Sequence, residues 1–328
     1  MDRRTLLATL AAFGAYVPLA RAQPQGKVWR VGLLSARKVP SLDDDPQYRA
    51  FFAGLRELGY VRGKNLAIEY RSADGDYERL PRLAAELVAL EVDLILAAGA
   101  PTVAAAQKAT TRIPIVMGTA GDPVGSGFVR TLARPGGNIT GLTDVAADMG
   151  FKLLDTLLSA VPGVTHVGVL LNPGNPSHAT FVASIEQGAR KVRIRVLRAE
   201  ARSERDIDTA FASMAKEKVH GAIALTDPAF NPQQKQIAAL AARQRLPCIS
   251  GHRQYVHAGG LMSYGVDFTH SFYRAATYVD KIFKGANPAE LPVEQSARFE
   301  LAVNLRAAKA LGLTLPGALL VRADEVVQ

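Results

Sequence analysis

The sequence predicts two doubly wound α/β lobes, each a parallel sheet covered by helices, joined by three crossing segments. Three observations carry this. Short apolar, strand-like runs alternate with amphipathic segments of helical period along nearly the whole chain. The alternation runs through its course twice: Val31 and Val167, Asp93 and His220, and Pro114 and Pro247 hold matching places about 130 residues apart. Between the two runs lies Asn138-Ile139-Thr140-Gly141-Leu142-Thr143-Asp144, too short for a domain and placed where one lobe must hand over to the next.

The first set opens with Val28 to Ser35, a near-continuous apolar run suited to a central strand covered on both faces. Asp43, Asp44 and Asp45 precede Pro46, which suits the first turn of a helix running to Leu58, and Gly59 stops it. Leu66 to Tyr70 is the second strand. Tyr77 to Leu90 carries apolar residues at Leu80, Leu83, Ala84, Leu87 and Val88, the spacing of a helix. Asp93 to Leu96 then ends in the turn Ala97 to Thr102, where backbone N–H groups at a helix start face outward. Ile113 to Met117 leads into Gly118 to Gly125, small residues with one acid, Asp122, which serves equally well as a cap before Pro123.

The second set follows the same grammar. A helix over Met149 to Leu158 precedes the strand His166 to Leu171, the loop Asn172 to Ser177 and a helix ending near Lys191. Arg193 to Arg198, Ala222 to Leu225 and Pro247 to Ser250 are strands, and the second of these ends in Thr226-Asp227-Pro228-Ala229-Phe230-Asn231-Pro232. Gly259 to Gly265 makes a strand into a second crossing, Phe268 to Phe283 a helix, and Arg298 to Val303 a strand and third crossing. The expected division is residues 1–22 as a signal, 28–142 with 264–297 as the first lobe, and 143–263 with 298–328 as the second.

The N-terminus reads as an export signal. Arg3 and Arg4 precede an apolar run, and Ala20-Arg21-Ala22 places small residues ahead of a cut before Gln23. The run from Thr5 to Ala20 is shorter than the roughly 20 residues a spanning helix needs and contains Pro18, so no stable membrane anchor is expected. The arginine pair fits twin-arginine export as well as the general route. After cleavage the protein is expected in the periplasm. Of 328 residues 48% are hydrophobic and 21% charged, which excludes a disordered chain. The net charge of +9 is spread among acids along helices, with no basic run, and no nucleic-acid partner is expected. One cysteine, Cys248, forbids an internal disulfide and lies in an expected core strand.

In open parallel sheets ligands bind beyond the carboxyl ends of the strands. The loops headed by Ser35, Gly99, Thr119 to Asp122, Asn172 and Thr226-Asp227 therefore converge on one cleft if the lobes face each other. Phosphate-binding, zinc-protease and serine-hydrolase motifs are lacking, and the six histidines show no ligand spacing. The expectation is binding without chemistry, with no cofactor and no metal.

The segments GYVRGKNLAIEYRSADGDYERLP, GTAGDPVGSGFV, ARPGGNITGLT, LLNPGNP, DPAFNPQ and GGLMSYGVDF, in this order, resemble the substrate-binding proteins of tryptophan/tyrosine-type ABC uptake systems over essentially the whole mature chain. The resemblance implies a type I periplasmic binding fold, a small amino-acid-like ligand, aromatic in some members, and an ABC permease of the inner membrane as partner. It places Ser35, Gly99, Ala100, Pro101, Thr102, Thr119, Asp122, Thr143, Asn172, Asn175, Asp227 and Tyr264 at or near the cleft. On charge, Asp122 or Asp227 suits a ligand ammonium, while Phe230 and Tyr264 suit stacking or hinge packing. An enzyme using the same cleft, or a sensor feeding a membrane receptor, are the rival readings.

Overall fold

The computed structural model describes residues 27–144, 146–296 and 298–328, without the side chains of 146 and 147. The expected signal and its cleavage site lie outside the described residues. The first sheet is built from β1 (Trp29–Ser35), β2 (Leu66–Ser72), β3 (Leu94–Ala98), β4 (Ile115–Thr119) and β5 (Ile139–Thr143), connected by α1 (Pro46–Glu57), α2 (Leu80–Ala89) and α3 (Ala100–Ala109). After β5 come α4 (Ala146–Ala160), β6 (His166–Leu171), α5 (His178–Lys191), β7 (Arg195–Glu200), α6 (Glu204–Lys216), β8 (Gly221–Ala224), α7 (Gln234–Arg243), β9 (Cys248–Ser250), α8 (Gln254–His257) and β10 (Met262–Val266). The chain then returns through α9 (Phe268–Phe283) and β11 (Glu294–Gln295), and finishes with β12 (Phe299–Asn304), α10 (Leu305–Ala310), α11 (Gly317–Arg322) and β13 (Glu325–Val327).

Both sheets wind outward in the same way. The first has the order β11-β5-β4-β3-β1-β2 and the second β13-β12-β10-β9-β8-β6-β7, so β2-β1-β3-β4-β5 is repeated as β7-β6-β8-β9-β10. All pairings are parallel except β10 with β12. Each half therefore reverses its winding direction between its first and third strands, which opens a crevice beyond β1 and β3 and another beyond β6 and β8.

The alternation along β1 explains why it runs apolar on both faces. Val31 and Leu33 pack with Tyr48, Phe51 and Leu55 of α1 and Phe272 and Val279 of α9, whereas Leu34 packs with Leu83 and Leu87 of α2 and Val103 of α3. In β6, Val167 and Val169 face α4 and α5, and Leu170 faces Ile207 and Phe211 of α6. Asp45 caps α1 by accepting from the Gln47 and Tyr48 amides, which is the physical content of the acidic run before Pro46. Cys248 is a free core thiol whose pKa burial pushes up to about 12.

Sheet membership locates the crossings. The chain leaves the first sheet after β5, leaves the second after β10, and passes from β11 in the first to β12 in the second. β10 remains paired with β12 as far as Val266, because a strand cannot change sheets in the middle of its ladder. Helix α9, although it follows β10, packs beside α1 over the first sheet. Among the described residues no helix is long and apolar enough to cross a membrane.

Candidate functional site

The carboxyl ends of the two sheets face one another across a narrow cavity of ≈ 70 Å³. Arg37 follows β1, Gln47 lies in the first turn of α1, Gly99 and Ala100 start α3, Thr119 ends β4 and Gly121 lies two residues beyond it; these form the first-lobe wall. Asn175, Ser177 and His178, at the start of α5, with Phe181, Thr226 and Asn231, form the opposite wall. Phe268 and Phe272, one turn apart on α9, and Asp144, one residue beyond β5, close the side at the seam.

Among the described residues four hydrogen bonds hold the walls together, one of them the Ala229 amide donating to Tyr77 Oη at 3.3 Å. Tyr77 Oη donates to Asp227 Oδ1 at 2.7 Å, Ser177 Oγ donates to the Gly121 carbonyl at 2.5 Å, and Thr180 Oγ1 donates to Asp122 Oδ2. Tyr77 stays protonated as a donor, since burial and then the Asp227 charge raise its pKa far above the usual phenol range. The lobes are thus closed on each other.

Asp227 is fully buried beneath the cavity wall, with both oxygens engaged. Besides Tyr77 it accepts from Asn172 Nδ2 at 3.1 Å, Asn175 Nδ2 at 2.9 Å and the Ala229 amide at 3.0 Å. His178 ties this group together: its Nδ1 accepts from the Asn172 amide at 2.9 Å, so Nε2–H donates to the Thr226 carbonyl at 3.1 Å. Burial lowers the imidazole pKa and keeps this tautomer neutral.

The cavity wall itself is less well satisfied. Thr119 Oγ1, Asn231 Oδ1 and Asp144 Oδ1 are buried and have no hydrogen-bond partner among the described residues. Buried polar atoms in folded proteins are seldom left unpaired, and three on one small cavity call for a polar guest. Burial raises the Asp144 carboxyl to about 6. Arg37, in contrast, is clamped by Asp45 at 2.7 and 2.8 Å and by Gln47 at 3.0 Å, which leaves Nε–H and one Nη1–H unused among the described residues.

Of the positions expected from sequence, Gly99, Ala100, Thr119 and Asn175 line the cavity. Pro101 and Asn172 line a second hollow of ≈ 680 Å³, which Tyr77 also lines. Ser35 turns its hydroxyl to the Arg37 carbonyl, Thr102 to the Gly99 carbonyl and Thr143 to the carbonyls of Ala120 and Asp144. Asp122 accepts from the Gly125 amide at 2.8 Å and from Thr180. Phe230 is buried in the core around α6 and α7, and Tyr264 stacks on Phe299 at 6.0 Å. Sequence reasoning passed over Arg37, Asp144, Ser177, His178, Phe181, Phe268 and Phe272. Asp144 was visible as the last residue of the seam stretch and Ser177 as the end of the Asn172 loop. The aromatic residues gave no signal beyond ordinary core spacing.

A family model for ABC transporter substrate binding proteins matches residues 34–327. The chain belongs to this family of ABC transporter substrate-binding proteins. A family relative, the tyrosine-binding protein of Clostridioides difficile (strain R20291), is 27% identical over 284 residues, covering 86% of this chain and 81% of its own. The structure of an ABC domain from Streptococcus pneumoniae in complex with L-Trp is similar with a TM-score of 0.83 and 25% identity, over 91% of this chain and 99% of that one. The ligand-free, open structure of a substrate-binding protein with adhesive properties from Clostridium difficile gives 0.64 at 26% identity, over 92% and 100%. The fold is that of periplasmic binding proteins. Among the described residues of this family member, no group of three His, Cys, Asp or Glu could hold a metal ion.

Proposed function

We propose that this substrate-binding protein works outside the cytoplasm, where it captures a small amino-acid-like ligand between its lobes and presents the closed form to an ABC permease. The observation that carries the reading is the set of three unpartnered polar atoms, Thr119 Oγ1, Asn231 Oδ1 and Asp144 Oδ1, on one interlobe cavity. The relatives support the ligand class, since the proteins named for tyrosine and solved with L-Trp are similar over most of their length. They also bear on the state. At nearly equal sequence identity the L-Trp complex matches at 0.83 and the ligand-free open structure at 0.64, as a closed chain would.

The walls suit a zwitterion with an apolar side chain. The unused N–H groups of Arg37 and the Ala100 amide at the start of α3 are placed for a carboxylate, and Phe181, Phe268 and Phe272 offer apolar and stacking surface. Closing on a ligand that touches both walls shifts the open–closed equilibrium by the difference in affinity of the two states. A thermal-shift screen of the L-amino acids, followed by native mass spectrometry of the purified protein, tests the reading. At least one amino acid is expected to raise Tm and to be recovered unchanged on denaturation. Turnover of the bound molecule, or no shift by any of them, would refute it.

Closure also depends on a contact away from the cavity. Tyr77→Phe removes one donor from the buried Asp227 carboxylate only when the lobes are closed, a loss of about 1–2 kcal/mol. Ligand affinity is expected to fall about fivefold to thirtyfold, chiefly through faster release measured by stopped flow. A Kd within twofold of the parent would show that this bond does not bias closure.

A further inference from the structure

We propose that Asp144 is the group that receives the cationic amine of the ligand, so that the site selects molecules carrying a protonated amine. The inference rests on the capture reading above and specifies which end of the ligand meets the seam.

It follows from what the carboxylates at the cleft are already doing. Asp45 is held bidentate by Arg37 and caps α1. Asp122 accepts from the Gly125 amide and from Thr180. Asp227 is saturated by Tyr77, Asn172, Asn175 and the Ala229 amide. Each of these is a structural anion with its charge spread over neighbouring donors. Asp144 has no such set: Oδ1 is buried without a partner among the described residues, and its residue lines the cavity.

Its position fits the role. Asp144 forms an isolated bridge with Gly121, and a Cβ on Gly121 would lie 3.1 Å from Asp144 Oδ1, 2.8 Å from Phe181 Cε2 and 3.0 Å from Ser177 Cβ. The carboxylate therefore sits under a residue without a side chain, where the first-lobe strand ends meet α5 of the second lobe. The other ionisable groups on the cavity are Arg37, whose charge is engaged by Asp45, and His178, held neutral between the Asn172 amide and the Thr226 carbonyl. Neither supplies a counter-charge to Asp144. A carboxylate with one oxygen buried and unpartnered is costly until a cation arrives, and an alkylammonium ion gives it both charge and hydrogen bonds. Because Asp144 directly follows β5, the amine would be held at the first crossing segment.

The test uses L-tyrosine, L-tryptophan and L-leucine with their des-amino counterparts, 3-(4-hydroxyphenyl)propionate, indole-3-propionate and 4-methylpentanoate. Affinities are measured by calorimetry at pH 7.5 on the parent protein and on Asp144→Asn. The parent is expected to favour an amino acid over its des-amino form by at least about tenfold. In Asp144→Asn that preference should vanish, and binding of the des-amino form by the variant shows that it is folded. If Asp144→Asn keeps the preference, or the parent shows none, the amine assignment is overturned while the capture reading stands. Failure of the parent to bind any of the six overturns both.

Discussion

Gly265→Ala will destabilise the protein by more than about 3 kcal/mol, enough to leave little folded material at 37 °C. A Cβ built on Gly265 lies 1.9 Å from the Gly251 carbonyl oxygen and 2.8 Å from its carbon, and both are backbone atoms that no rotamer change can move aside. The residue sits in β10, paired with Glu300 of β12 on one side, so the strand cannot shift without breaking that ladder. Gly141, in the first crossing strand, is constrained twice over: its φ is +126°, and a Cβ would lie 2.4 Å from the Met117 oxygen. Gly137→Ala is the control, since nothing lies within 4 Å of its Cβ position and its change should stay within about 0.5 kcal/mol. Urea unfolding of the three proteins decides the matter. A loss below about 1 kcal/mol for Gly265→Ala would mean that β10 yields far more readily than its backbone contacts imply.

These glycines show what the sequence could and could not convey. The strands were legible because each is an apolar run that the sheet buries on two faces, and the repeat was legible because both halves wind in the same order. Even the role of Asp45 could be anticipated, since an acid before a proline at a helix start acts within three residues. Asp227 was visible as an acid at a strand end, but its chief donor comes from 150 residues away in the other lobe, and no local pattern announces Tyr77. The same holds for Tyr264: a tyrosine in a crossing strand looks like a stacking surface, yet the pleat of β10 turns it onto Phe299 rather than into the cleft. Phe268 and Phe272 carry ordinary helical spacing. They reach the cavity because α9 crosses back to the first sheet, a fact of topology. In the sequence Asp144 is only the end of a seam, because solvation is a property of the folded surroundings, and the letters beside it give no warning that one carboxylate oxygen is left unpartnered.

That carboxylate, with one buried oxygen unpartnered, makes a thermodynamic prediction that needs no ligand: Asp144→Asn will be more stable than the parent at pH 8 and no more stable at pH 4. Burial raises the Asp144 carboxyl from its ordinary 3.8 to about 6. Between these values the folded protein holds a proton that the unfolded chain has released, so stability falls as pH rises through this window and is lowest above about 6. At 1.36 kcal/mol per tenfold change in proton affinity, the full penalty is about 3 kcal/mol, and some access to solvent on the cavity side reduces it toward about 2. An asparagine carries no charge to desolvate, so the gain should appear at pH 8 and shrink as the parent becomes protonated. The buried imidazoles of His178 and His252 act in the opposite sense, because burial lowers both, the latter to about 4, and stability rises as pH passes upward through their range. Both proteins share that background, and the difference between their urea midpoints at each pH isolates Asp144. If the difference is flat from pH 4 to 8, the carboxylate is not desolvated and loses its reason for recruiting an amine. If it rises as described, adding a bound amino acid to the parent should cancel much of the penalty, since the ligand then supplies the charge that the protein withholds.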